Sequence, residues 1–215
     1  GFDGAKWVRG QEIDWEMTKF NYNMKNILPD SKTRPTKIKG YNMNTASASQ
    51  WHNKNWIWEE NRFCAKTARA ASKWLELNYK KDPFFLWVDM FDPHEPWDPP
   101  EYLVNNYSPD YDDIPMFHPN YGYASDYTEE ELKNLKAHYY GETQLVDKWI
   151  GHILRKVEEI DLMDDTMIVF TSDHGMYLGE HNRTGKSNIN PDDDRKWPLY
   201  EEIIHVPLII YHPEI

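Results

Sequence analysis

Two short strings carry residue types suited to acid–base and metal chemistry: Asp92-Pro93-His94-Glu95-Pro96-Trp97 and Ser172-Asp173-His174-Gly175. His94 stands between Pro93 and Pro96, whose rings fix φ and remove backbone donors. An imidazole held that stiffly suits proton donation to a leaving group, or a hydrogen bond to an anionic oxygen. The plainer alternative is a surface histidine in a proline-rich loop. Asp173 and His174 set a hard carboxylate beside an imidazole, a pair suited to a divalent cation of hard or borderline character. Gly175 permits the tight turn that would aim both side chains at one ion; the alternative is a turn with an aspartate cap. Lys186, in Thr184-Gly185-Lys186-Ser187, lies thirteen residues after Asp173. It either neutralises an anion beside such a site or is simply solvated. Trp97 either borders a binding slot or packs. Cys64, among Phe63, Ala65 and Ala68, reads as a small packed hydrophobe rather than a nucleophile.

These residues need elements to position them. Residues 59–80 predict a helix, with Phe63, Thr67, Ala71, Trp74, Leu75 and Asn78 on one row. Phe84 to Met90 predicts a continuous apolar strand buried on both faces. The next 37 residues, 91–127, are rich in Pro, Asp and Tyr; a structureless connection of that length is usually functional or mobile. Thr128 with Glu131 forms a capping box. It opens a long amphipathic helix over about 129–160, with apolar residues every three to four positions. Residues 166–171 predict a second buried strand, 199–204 a short helix and 206–211 a third strand. That order indicates α/β layering with a mostly parallel sheet. Both chemistry-bearing strings then fall just past strand ends, where ligands bind in open parallel sheets. Residues 21–58 lack periodicity, and 19–40 hold six Lys or Arg against one acid. They read as a solvated excursion or as a basic lip for an anionic ligand.

The 215 residues carry a net charge of −12, which argues against wrapping nucleic acid. One cysteine excludes an internal disulfide framework and a four-cysteine zinc site. The longest apolar runs are about five residues, against the ~20 that a membrane helix needs. Ten Trp, fourteen Tyr and eight Phe argue against disorder. They also raise a carbohydrate-binding module as an alternative, which the long helix opposes.

The sequence resembles the sulfatases, and the related phosphonate monoester hydrolases, of the alkaline phosphatase superfamily. The resemblance rests on Tyr140-Gly141-Glu142, Asp147 and Ile150-Gly151, then Asp164 through Gly175. It continues through Leu178-Gly179-Glu180-His181, Lys186, Leu199-Tyr200-Glu201-Glu202 and Val206-Pro207-Leu208-Ile209, with Phe84 to Val88 and His94-Glu95-Pro96-Trp97 upstream. Arg9-Gly10-Gln11-Glu12 with Asp14 also resembles a segment of several members. The resemblance implies a three-layer α/β fold, a mostly parallel sheet flanked by helices. It implies hydrolysis of a sulfate ester, with a phosphonate or phosphate ester as the alternative. Asp173 and His174 would ligate a divalent metal, calcium first, manganese or zinc otherwise. Lys186 would contact the sulfate oxygens. His94 would contact the bridging oxygen and protonate the leaving group. Trp97 and His181 are the expected substrate contacts, and the expected partner is a small-molecule or saccharide sulfate ester.

The departures set a further expectation. The family nucleophile is a formylglycine made from Cys or Ser in a Cys/Ser-x-Pro/Ala-x-Arg pattern. Cys64 is followed by Lys66 at the Pro/Ala place and Ala68 at the Arg place, so these residues contain no nucleophile. The early aspartate pair that completes the family's metal shell is likewise absent. The chain therefore reads as the central part of a catalytic domain, inactive alone, with nucleophile, early metal ligands and closing elements elsewhere. Any export signal would lie before Gly1, so compartment stays open, as does oligomeric state.

Overall fold

The computed structural model describes residues 1–8, 56–113, 115–189 and 193–214. The Arg9 to Asp14 segment, almost all of the 21–58 stretch and its basic run at 19–40 lie outside the described residues.

The first predicted helix forms as a 3₁₀ turn, Glu59–Asn61, followed by α1, Phe63–Asn78. No side chain of its own caps α1. Instead Cys64 N–H donates to Asp92 Oδ2 at 2.8 Å, so a carboxylate from a distant loop satisfies a first-turn amide. The long helix, α3, spans Glu129–Glu159, about 46 Å at 1.5 Å per residue. The expected capping box is present: Glu131 N–H donates to Thr128 Oγ1 at 3.2 Å, and Thr128 N–H to Glu131 Oε2 at 2.8 Å. Small residues on α1 (Ala65, Ala68) admit Leu145, Val146 and Trp149 of α3, closing one core with Cys64 and Leu103. Lys156 at the end of α3 pairs with Glu76 of α1 at 2.8 Å.

The connection 91–127 is packed rather than structureless. It contains α2, Glu101–Val104, and a 3₁₀ turn, Ala124–Asp126. Trp97, Met116 and Tyr127 from this stretch build a second core with Leu135, Met176 and Leu178. Main-chain groups are tied down individually: Trp97 N–H donates to Phe117 O at 2.7 Å, and Met116 N–H to Asn134 Oδ1 at 2.9 Å. Aromatic anchors substitute here for a hydrogen-bonded ladder.

The sheet differs most from expectation. Among the described residues there are two two-stranded antiparallel sheets and no parallel pairing. Strand β1, Ile168–Thr171, pairs with β4, Leu208–Tyr211, with Ile168 opposite Tyr211 and Thr171 opposite Leu208. Between them, β2 (Tyr177–Leu178) and β3 (Thr184–Gly185) form a hairpin, followed by the short helix α4, Glu201–Ile204. A parallel return needs a crossover, usually a helix, of a dozen or more residues. The 172–207 connection is long enough for one, but its described residues carry only the β2–β3 hairpin, a 3₁₀ turn and the four-residue α4, and the chain comes back antiparallel. Residues 84–90 form no hydrogen-bonded strand among the described residues, and Phe85 and Trp87 are exposed rather than buried. No described helix is long and apolar enough to cross a membrane.

Candidate active site

The β2–β3 hairpin brings Lys186 to His94. Gly179 N–H closes the hairpin on Arg183 O at 2.8 Å, and Lys186 directly follows β3. Thr184 of β3 is held on the 120–123 segment: its N–H donates to Gly122 O at 3.2 Å, and its hydroxyl to Asn120 Oδ1 at 2.5 Å. That segment follows Phe117, which carries the Trp97 hydrogen bond. The same loop therefore supports both the hairpin and the His94 string.

The result is a compact charged group. Lys186 Nζ donates to His94 Nε2 at 2.5 Å and to Glu95 Oε2 at 3.2 Å. An ammonium has no acceptor, so Nε2 is the accepting nitrogen and neutral His94 carries its proton on Nδ1. That Nδ1–H donates to the main-chain oxygen of Glu95 at 2.7 Å. Phe91 stacks on the imidazole with ring centroids 4.3 Å apart. The Tyr121 hydroxyl donates to Glu95 Oε1. His94 and Lys186 keep side-chain exposures of 22% and 18%, whereas Glu95 has 2%, so the first two can meet a solute and the third cannot. Burial alone would raise the Glu95 carboxyl, but the charges of His94, Lys186 and His118 and the Tyr121 hydrogen bond leave it below its usual range. His118 behaves oppositely: burial holds it below the ordinary histidine value.

Asp173 and His174 meet just past β1. His174 N–H donates to Asp173 Oδ1 at 2.9 Å, and His174 Nδ1 donates to Gly175 O at 2.9 Å. His174 Nε2 then presents its lone pair 3.4 Å from Asp173 Oδ2. Two lone-pair donors converging on one exposed point fit a cation between them, with the carbonyl orienting the imidazole from behind. Gly175 matters for close approach rather than positive φ. A Cβ there would fall 2.0 Å from Glu202 O, and its N–H donates to Ile203 O at 2.7 Å.

His181 is held elsewhere on the hairpin. Its ring stacks on Tyr200 at 4.0 Å, and Nε2 lies 3.3 Å from Glu202 Oε2. Trp97 requires correction as a substrate contact. It is 0% exposed, its indole N–H donates to Pro93 O at 2.9 Å and its ring meets Tyr139 edge-on at 5.2 Å. It packs, and its carbonyl accepts from His138 Nδ1 at 3.1 Å. Burial lowers that histidine to about 4.

Close to His94 in sequence, Asp92 joins a trio with the buried Cys64 and Glu142. The donor atoms of Cys64, Asp92 and Glu142 lie within 4.8 Å of one another, a spacing that a metal ion can use. Burial pushes the Cys64 thiol far up, with Asp92 and Glu142 adding to it. Burial also raises both carboxyls. Glu142 rises the more, because Cys64, Arg62 and His94 hold Asp92 back. Arg62 lowers both carboxyls against that burial.

The sulfatase family profile matches residues 6–215. The chain belongs to the sulfatase family. It is 29% identical over 199 residues to an arylsulfatase of Clostridium perfringens, covering 81% of this chain and 38% of that protein. It is 30% identical over 173 residues to arylsulfatase K of Mus musculus, covering 67% and 29% respectively. Among solved structures, the phosphonate monoester hydrolase of Agrobacterium radiobacter aligns with TM-score 0.58 and 26% identity, over 73% of this chain and 34% of that one. This sulfatase chain thus spans well under half the length of the relatives it matches, and its fold is that of the sulfatase and phosphonate hydrolase group.

Glu95 and Glu142 lie inside the strings that resemble the family but have no role implied there, and Tyr121, His118 and Arg62 lie outside those strings. Adjacency to His94 was the available signal for Glu95. Nothing local marks Tyr121, 26 residues further on.

Proposed function

We propose that this chain supplies the leaving-group and anion-binding side of a sulfatase site, hydrolysing a small-molecule or saccharide sulfate ester. The observation that carries the reading is the 2.5 Å contact of Lys186 Nζ with His94 Nε2 across 92 residues of sequence. A cation and an imidazole, partly open to solvent, suit a tetrahedral oxyanion and its departing alkoxide. Lys186 binds and orients sulfate oxygens; a local field of this kind outweighs the net charge of −12. Delivery to the alkoxide oxygen uses the imidazolium form: His94 gives up its Nε2 proton and is left as the Nδ1–H tautomer, whose Nε2 then accepts from Lys186. His181, steadied by Tyr200 and Glu202, contacts the organic part of the ester. Asp173 and His174 hold a divalent cation, calcium by family resemblance and manganese or zinc as alternatives; when bound it offsets anionic charge on the ester. The nucleophile, a formylglycine by resemblance, comes from sequence outside these residues, since Cys64 is buried and its thiol stays protonated. These residues then form the central part of a longer catalytic domain.

The phosphonate monoester hydrolase likeness supports an alternative ester on the same machinery. Side-by-side kinetics of the full-length protein on aryl sulfates and aryl phosphonates decide between them. Lys186→Met should lower kcat/KM by about 10²–10³ without unfolding the protein. Wild-type protein inactive on sulfate esters, or a Lys186→Met variant as active as wild type, would overturn the reading.

A further inference from the structure

We propose that Glu95 is the positioning residue of this site, holding Lys186 against His94 and fixing the proton of His94 on Nδ1. The inference rests on the functional reading above and assigns a role to a residue which that reading leaves unused.

Carboxylates are almost never fully buried unless paired. Glu95 is 1% exposed, next in sequence to a half-buried histidine. Both its oxygens are engaged: Oε1 accepts from the Tyr121 hydroxyl and Oε2 from Lys186 Nζ at 3.2 Å. The same Oε2 lies 3.5 Å from His94 Nδ1, while the main-chain oxygen of Glu95 takes the Nδ1 proton. One residue therefore touches the lysine and both determinants of the histidine's orientation, with no surface left for a substrate. That distinguishes positioning from catalysis.

The fold reinforces the contact from behind. A Cβ at Gly185 would fall 2.9 Å from Tyr121 Cδ1, and Gly185 has φ +110. The backbone that carries Lys186 thus lies directly on the ring whose hydroxyl binds Glu95. Tyr121 itself sits at φ 51 and is 2% exposed. Among the described residues, the groups facing the His94–Lys186 pair include Glu95, His118, Tyr121 and Asp92. Of these, Glu95 alone is a carboxylate in contact with both members.

The test uses full-length protein with Glu95→Gln, which keeps the shape and removes the charge, and Tyr121→Phe, which keeps the charge and removes a partner. On an alkyl sulfate, whose alkoxide needs a proton, Glu95→Gln should lower kcat by about 100-fold. On 4-nitrophenyl sulfate, whose leaving group needs none, kcat should fall by no more than about threefold. KM should change little on either ester. The alkaline limb of kcat/KM should move to lower pH, because a negative charge that favoured the protonated pair is gone. Tyr121→Phe should reproduce the leaving-group dependence more weakly. Two-bond ¹H–¹⁵N spectra of His94 give a reading independent of turnover: Nδ1–H in wild type, a tautomer mixture in Glu95→Gln. Equal losses on both esters, or an unchanged His94 tautomer in both variants, would overturn the role of Glu95. Should wild type turn over no sulfate ester, the functional reading falls, and the His94 spectra still decide this one.

Discussion

Alanine at position 175 places a methyl group where the backbone of α4 already is. The Cβ would lie 2.0 Å from Glu202 O and 3.0 Å from Glu202 C, against an ordinary contact of at least 3.4 Å. The gap must open by 3.4 − 2.0 = 1.4 Å, and the obstacle is main chain, not the end of a flexible side chain. The Gly175 N–H to Ile203 O bond spans 2.7 Å. A displacement of 1.4 Å along it gives 4.1 Å, which is no longer a hydrogen bond. Losing that bond costs about 0.5–1.5 kcal/mol, and overpacking typically costs a further ~1–3 kcal/mol. Together Gly175→Ala should destabilise by about 2–4 kcal/mol. At about 2–4 °C per kcal/mol for a domain of this size, the melting temperature should fall by roughly 5–15 °C. The matched control is Gly151→Ala in the interior of α3. There the nearest atom outside the helix backbone is Arg155 Nη1 at 3.4 Å, which can swing away. That change should stabilise by about 0.5–1 kcal/mol, because alanine is the better helix residue. One chemical change thus has opposite signs at two sites. Since Gly175 follows His174, calorimetric titration with calcium and manganese should also show weaker binding in Gly175→Ala and none of that weakening in Gly151→Ala. Equal melting temperatures for Gly175→Ala and wild type would refute the close-approach argument.

Two further outcomes follow from the charged groups. Glu142 keeps its carboxyl above the ordinary value of 4.5 because it is buried beside Asp92. The folded state therefore binds that proton more tightly than the unfolded state, and stability should fall as pH rises upward from about 4.5. Glu142→Gln removes this slope, so melting temperatures measured from pH 4.5 to 8 should be flatter than wild type; parallel curves would contradict the assignment. Asp173→Asn should reduce divalent-cation affinity by about tenfold or more through loss of one ligand charge. Bound metal per chain after dialysis reads this directly, and undiminished metal content would exclude Asp173 as a ligand.

The two long helices were legible because their signals are local. The Thr128–Glu131 box and the apolar period of α3 act within a few residues, and each reappears as expected. The strands were legible as apolar runs but not as a sheet. Pairing depends on which segment arrives alongside, and 84–90 carries the strongest strand pattern without a partner among the described residues. The 91–127 stretch misled in the other direction. It lacks periodicity, yet Trp97, Met116 and Tyr127 order it by burial, which no window of sequence reports.

The chemical inventory is readable along the chain: a histidine between prolines, a lysine on a glycine-bearing loop, an Asp–His pair and a cysteine in the wrong context for catalysis. Residue type and short spacing suffice for that, and the family resemblance added the roles. Which of them come together depends on the packed fold. It brought Lys186 onto His94 over 92 residues, buried Trp97 away from any ligand and closed Glu95 behind the pair under Tyr121. The physical reason is that hydrogen bonds and desolvation act over a few ångströms of space, whereas a sequence orders residues only along the chain.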